Sequence, residues 1–151
     1  MLTALLGLIA MGAGDLAGAR GHFQTSSRYS AEHVAAWAIE DAMLMGCVEI
    51  LDGQLDAAVM RLSESVERGR RWGSGPGLAG PLLAACRVHQ GAEPDEVAGL
   101  IAQAQHGHPI VDAALAEVNP EAAPAPPLAE RRGFDAHLAH RLASAWRRMS
   151  R

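Results

Sequence analysis

Seven histidines, two cysteines and seventeen acidic residues are the groups in this 151-residue chain from which a reactive site could be built. Their spacing offers little. His106 and His108 flank Gly107, and His137 and His140 stand three apart. Neither pair is accompanied by the Cys, His or carboxylate set that holds a metal, so no metal site is expected. Glu40 and Asp41 are adjacent and diverge on a helix, which argues against a carboxylate pair in acid–base work. Cys47 and Cys86 lie inside apolar patterns with no CxxC, as reduced structural cysteines do. No G-x-S-x-G or H-E-x-x-H motif occurs, and a chain without lysine has no G-x-x-x-x-G-K-[ST] loop. "GSGPG" at 73–77 is glycine-rich but leads into no strand-to-helix turn. The expectation is therefore a non-catalytic protein with no catalytic residue, no metal and no cofactor. The alternatives are a small α-helical enzyme with a His-containing pocket and a purely structural self-assembling subunit.

The elements that would position such groups are helices. The chain is 49% apolar but only 4% aromatic, which suits helices packed through small and medium side chains. Helical periodicity runs from Leu2 to Ala13, Asp15 to Tyr29, Ala31 to Leu51 and Gln54 to Arg71, with Asp15 and Ser30 as N-cap candidates. "WGSGPGLAGP" at 72–81 reads as a flexible hinge. A third hairpin comes next at Leu82–Gln90 and Asp95–Gln105, then a short helix within "HGHPIVDAALAEV". The chain divides into a helical domain over 1–117, a Pro/Ala-rich linker over 118–127 and a basic amphipathic helix over 128–151.

Two stretches carry one spacing 39 residues apart. Gly7, Gly14, Ala19, Phe23 and Ser26 fall in register with Gly46, Gly53, Ala58, Leu62 and Ser65. Small residues let helices approach closely, and Phe23 and Leu62 fill the space between them. The spacing resembles the tetratricopeptide (TPR) repeat, although that repeat usually advances by about 34 residues. The resemblance implies an all-α, antiparallel hairpin solenoid of about three TPR-like repeats with a C-terminal capping helix. The order "GDLAGARGHF", "GQLDAAVMRLSESVERGRRWG", "GAEPDEVAGLIAQAQ" and "APAPPLAERRGFDAHLAHRL" is similar to the C-terminal repeat region of bacterial signal-transduction ATPase transcriptional regulators, LuxR-type or SARP-type. That similarity implies a protein-interaction or sensory module of a bacterial regulatory protein. Its partner would be a protein or peptide, such as an ATPase domain of the same regulator.

In the TPR register the first helix of each hairpin lines a partner-binding groove, here Leu8, Met11, Glu40, Met43, Cys47, Ile50 and Val88. Such an apolar groove needs a cover. A partner's amphipathic helix, an upstream domain or the chain's own tail would serve, and the same residues could instead form the core of a closed bundle. Formal net charge is −4, with seven Arg against fifteen acidic residues over 1–127 and six Arg against Glu130 and Asp135 over 128–151. An acidic body makes direct nucleic-acid binding an unfavoured expectation. The basic tail carries an apolar stripe of Phe134, Leu138, Leu142, Ala145 and Met149, expected to dock on the third hairpin near Val88, Val97 and Leu100. No apolar run reaches eighteen residues, so no membrane span is expected. The start imitates a signal peptide but has no positive charge before its apolar run, and a cytoplasmic location is expected.

Overall fold

The computed structural model describes residues 2–104, 107–121 and 133–151. Among them the chain forms helices α1 (Leu2–Ala13), α2 (Leu16–His33), α3 (Ala35–Leu51), α4 (Leu55–Arg71), α5 (Ala79–His89), α6 (Pro94–Ile101), α7 (Pro109–Val118) and α8 (Phe134–Met149), with no strand. The fold class is all-α. Each helix from α1 to α5 packs on the next, α7 packs on α5, and α8 packs on α7, α3 and α1. The expected start of the last helix at Leu128 and most of the 118–127 linker lie outside the described residues.

Helices α3 and α5 are apolar on nearly every face, and each is surrounded accordingly. From Ala79 to Cys86 every residue of α5 is buried, and so is α3 from Leu44 to Leu51. Amphipathic α2 and α4 flank α3, burying Ala19 and Phe23 from one side and Ala58, Leu62 and Val66 from the other.

The 39-residue spacing has a steric cause. A Cβ on Gly7 would stand 2.6 Å from Cε1 of Phe23, and one on Gly46 would stand 2.6 Å from Cγ of Leu62. Each glycine is thus the hollow into which the large side chain of the following helix fits. The turns match as well. Gly14 and Gly53 have φ of 86° and 74°, a region open to glycine at little cost. In both turns the glycine N–H and the next N–H return to the helix, to Met11 and Ala10 in one and to Ile50 and Glu49 in the other.

Several boundaries differ from those the sequence suggests. Asp15 does cap α2, accepting from Gly18 N at 2.9 Å. Ser30 caps nothing. It lies inside α2, which continues to His33, and its hydroxyl donates to the buried Asp41 carboxylate at 2.8 Å. Helix α3 begins at Ala35 behind Val34, without a side-chain cap. The glycine-rich segment after α4 is packed down rather than open. Its Gly75 carbonyl occupies the space a Cβ on Gly69 would need, and Ser74 bonds back to Gly69 O. Gly80 and Pro81 already belong to the first turn of α5, where proline loses no hydrogen bond.

Candidate functional site

Of the seven residues expected to line a groove, four come together beside α8. Met11, Cys47 and Ile50 are fully buried, Leu8, Met43 and Val88 are half-buried, and Glu40 is exposed. Leu8, Glu40, Met43 and Cys47 border a cavity of about 250 Å³ together with His108 and with Phe134 and Leu138 of α8.

Helix α8 meets the third hairpin at one end only, where Trp146 and Ser150 reach His89. Its expected seat is the third hairpin near Val88, Val97 and Leu100, but its principal neighbours are α7, α3 and α1. Helix α7 packs against both α5 and α8. Leu138, Leu142, Ala145 and Trp146 then face inward and are almost fully buried, as the stripe requires. Phe134 approaches Gly12 of α1, and Arg141 Nη1 donates to Met11 O in the last turn of the same helix. A cation suits the carbonyl end of a helix.

At its other end α8 is tied to α5 and α7. The Trp146 ring stacks on His89 at 6.4 Å between centroids. His89 Nε2 lies 3.0 Å from Glu117 Oε2, and Ser150 Oγ lies 3.3 Å from His89 Nδ1. This Ser–His–Glu line joins three helix ends that are far apart in sequence, and no local motif announces it. Its geometry is that of a tether, because Ser150 also donates to Trp146 O at 3.1 Å. Trp146 Nε1 is buried beside the Cys86 sulfur without a hydrogen bond of normal geometry.

The other candidate chemistry is dispersed. His106 lies outside the described residues, and His137 and His140 are exposed on α8. His108 accepts from Ile110 N at 3.3 Å as the N-cap of α7, and its Nε2 stands 3.6 Å from Asp135 Oδ2. Among the described residues no three His, Cys, Asp or Glu converge to hold a metal. Burial pushes the Cys47 and Cys86 thiols up to about 12, so both are protonated near neutrality and poor nucleophiles.

One further feature has no signal in the sequence. Helices α1 and α3 enclose a cavity of about 480 Å³ with mainly apolar walls, bordered by Leu2, Ala4, Leu5, Leu8, Ser26, Trp37, Glu40, Asp41 and Leu44. Glu40 and Asp41 diverge in burial, as their adjacency demands, yet both reach this space. Asp41 is buried and held by Ser30, while Glu40 is exposed. The helical pattern around Ala4 and Leu8 is visible in the sequence; the gap beside Trp37 is not, because it depends on how far α1 stands from α3. No helix among the described residues is long and apolar enough to cross a membrane. Comparison with protein-family models, curated proteins and solved structures finds no match.

Proposed function

We propose that the chain is a non-catalytic protein-interaction or sensory module of a cytoplasmic bacterial regulator of the transcription-regulator type, built as a TPR-like solenoid of about three helical hairpins. The repeat reading is supported by the recurrence, 39 residues apart, of the Gly7–Phe23 and Gly46–Leu62 fits and of the Gly14 and Gly53 turns. With Phe134 and Leu138 of α8 beside Leu8, Glu40, Met43 and Cys47, the functional reading rests on the cavity between α1 and α3. Its volume and apolar walls suit a few side chains of an amphipathic helix, and Glu40 at its border favours a partner that brings a basic residue. A protein or peptide is the partner, an ATPase domain of the same regulator first among them.

Photo-crosslinking tests this reading. A photoreactive phenylalanine derivative in place of Trp37 is expected to capture one discrete protein in cells, carrying a nucleotide-binding domain. The same residue in place of Met60, exposed on α4, is expected to capture none. Identical patterns from the two positions would overturn the assignment. The enzyme alternative draws on His108 and Asp135 beside the smaller cavity. A turnover abolished by His108→Gln in a folded protein would favour that alternative.

A further inference from the structure

The carboxylates along α3 are unequally provided for. Glu49, 7% exposed, meets the forked guanidinium of Arg20, and the C-cap Asp52 shares that cation. Asp41 is buried more deeply, at 2% exposed, yet its side chain has one hydrogen-bond partner among the described residues, the neutral Ser30 hydroxyl. Ser30 donates to Oδ2 at 2.8 Å, and no described residue donates to Oδ1. A carboxylate withdrawn from water without a cation or a full set of donors is costly to keep. Asp41 borders the cavity between α1 and α3, which is the space from which a donor can come.

The two walls of that cavity differ in chemistry. Leu2 and Leu5 of α1 stand 39 residues before Asp41 and Leu44 of α3, and all four border the space. The α1 wall is aliphatic, since that helix contains no charged residue, and Leu2 and Leu5 are exposed. The α3 wall carries Asp41 in its depth and the exposed Glu40 at its rim, and Glu40 has no ion-pair partner among the described residues. No Arg or His among the described residues borders the space. Two carboxylates without a cation, facing an aliphatic wall, are complementary to a ligand that brings aliphatic side chains and one positive charge.

We propose that the partner helix is anchored by one arginine, whose guanidinium passes Glu40 and donates to Asp41 Oδ1 while aliphatic neighbours lie against Leu2 and Leu5. The anchor rests on the reading of this cavity as a partner site and adds the residue by which the partner is chosen. Arginine is the cation that already meets Glu49, the other buried carboxylate of α3. All thirteen basic residues of the chain are arginine, a usage that a domain of the same regulator would share. The several N–H groups of a guanidinium can serve both Asp41 and Glu40 and leave Ser30 its bond.

Capped tripeptides are the probes: leucine–arginine–leucine, and the same peptide with citrulline, which keeps the shape of arginine and lacks its charge. Binding to the full chain is read from the indole N–H resonance of Trp37 at the cavity, with that of the exposed Trp72, at the end of α4, as internal reference. The arginine peptide is expected to move the Trp37 signal alone and to bind at least about tenfold more tightly than the citrulline peptide, the worth of a hydrogen bond between charged groups. Asp41→Asn retains an oxygen for Ser30 and should bring the two peptides to equal affinity. Glu40→Gln should weaken the arginine peptide by no more than about threefold, as the loss of an exposed charge does. Circular dichroism checks that both variants fold, and the comparison of the two peptides on the wild-type chain needs no variant. Equal affinity of the two peptides for the wild type would overturn the anchor. So would a Trp37 signal that neither peptide moves, or an arginine preference that survives Asp41→Asn and disappears in Glu40→Gln. Protein capture at position 37 with no arginine preference would remove the anchor and leave the partner site standing. An arginine preference lost in Asp41→Asn, with no protein captured, would leave a cation site at Asp41 and overturn the partner reading instead.

Discussion

Arg141, midway along α8, donates to the carbonyl oxygen of Met11 in the last turn of α1, a contact between residues 130 positions apart. The hydrogen bond fixes where the tail lies, but apolar burial supplies most of the hold. Leu142 is fully buried and its neighbour Arg141 only partly so. Leu142→Ala should therefore cost about 2–5 kcal/mol. Arg141→Ala should cost less, about 1–2 kcal/mol, as the loss of one charged hydrogen bond. Arg148→Ala, on the exposed side of α8, should stay within about 0.5 kcal/mol of wild type. Urea denaturation measures all three, and the Leu142 effect should persist in high salt, since burial is not screened.

The glycine hollows make a prediction of opposite sign for two similar substitutions. Gly46→Ala would drive its methyl group into Leu62 and should destabilise by about 1–3 kcal/mol. Gly21→Ala, on an open face of α2 with nothing within 4 Å, should stabilise by about 0.5–1 kcal/mol through helix propensity alone. A double variant, Gly46→Ala with Leu62→Ala, should cost less than the sum of its parts, because the smaller side chain vacates the space. Thermal melts of these variants and of Leu62→Ala alone, each against wild type, decide the matter.

What the sequence made legible was whatever depends on neighbours near in the chain. Gly7 and Phe23, or Gly46 and Leu62, are sixteen residues apart on consecutive helices, so hairpin geometry brings them together and leaves a trace in the spacing. Ser30 misleads because serine before a helical run suits an N-cap, whereas the buried Asp41 carboxylate offers it a stronger partner inside α2. The seat of α8 is illegible for another reason. Its inward stripe can be read, but net charge carries no address, and the stripe is shared among α7, α3 and α1, which lie far from it in the chain.

The thiols give the fold an alkaline limit. Burial pushes Cys47 up to about 12 from an ordinary value of 9.0, and Cys86 is displaced in the same direction. The unfolded chain releases these protons above pH 9 while the folded chain keeps them. Folding stability attributable to the thiols is therefore complete below pH 9 and declines as pH rises toward 12. The Cys47→Ala variant should show a shallower decline over that interval in denaturation measured at stepped pH. Near pH 8 the native protein should react with a thiol reagent only at the rate at which it opens.

The anchor between α2 and α3 should prove costlier to halve than to remove. Arg20 bonds Glu49 through Nε and Nη2, at 3.0 and 2.9 Å, and reaches Asp52 at 2.9 Å. The Glu49 bond and then the Asp52 bond push the guanidinium pKa up, so it stays charged wherever the protein is folded. Glu49 is buried, and Arg20→Ala would leave its carboxylate without that partner, at a cost of about 1–3 kcal/mol. Arg20→Lys should recover only part of this, since a point charge cannot reproduce the forked contact. The double variant Arg20→Ala with Glu49→Leu removes the stranded charge along with its partner and should be more stable than Arg20→Ala alone. If it is no more stable, the energetic weight of the anchor lies with the exposed Asp52, and moderate salt should then erase the effect of Arg20→Ala.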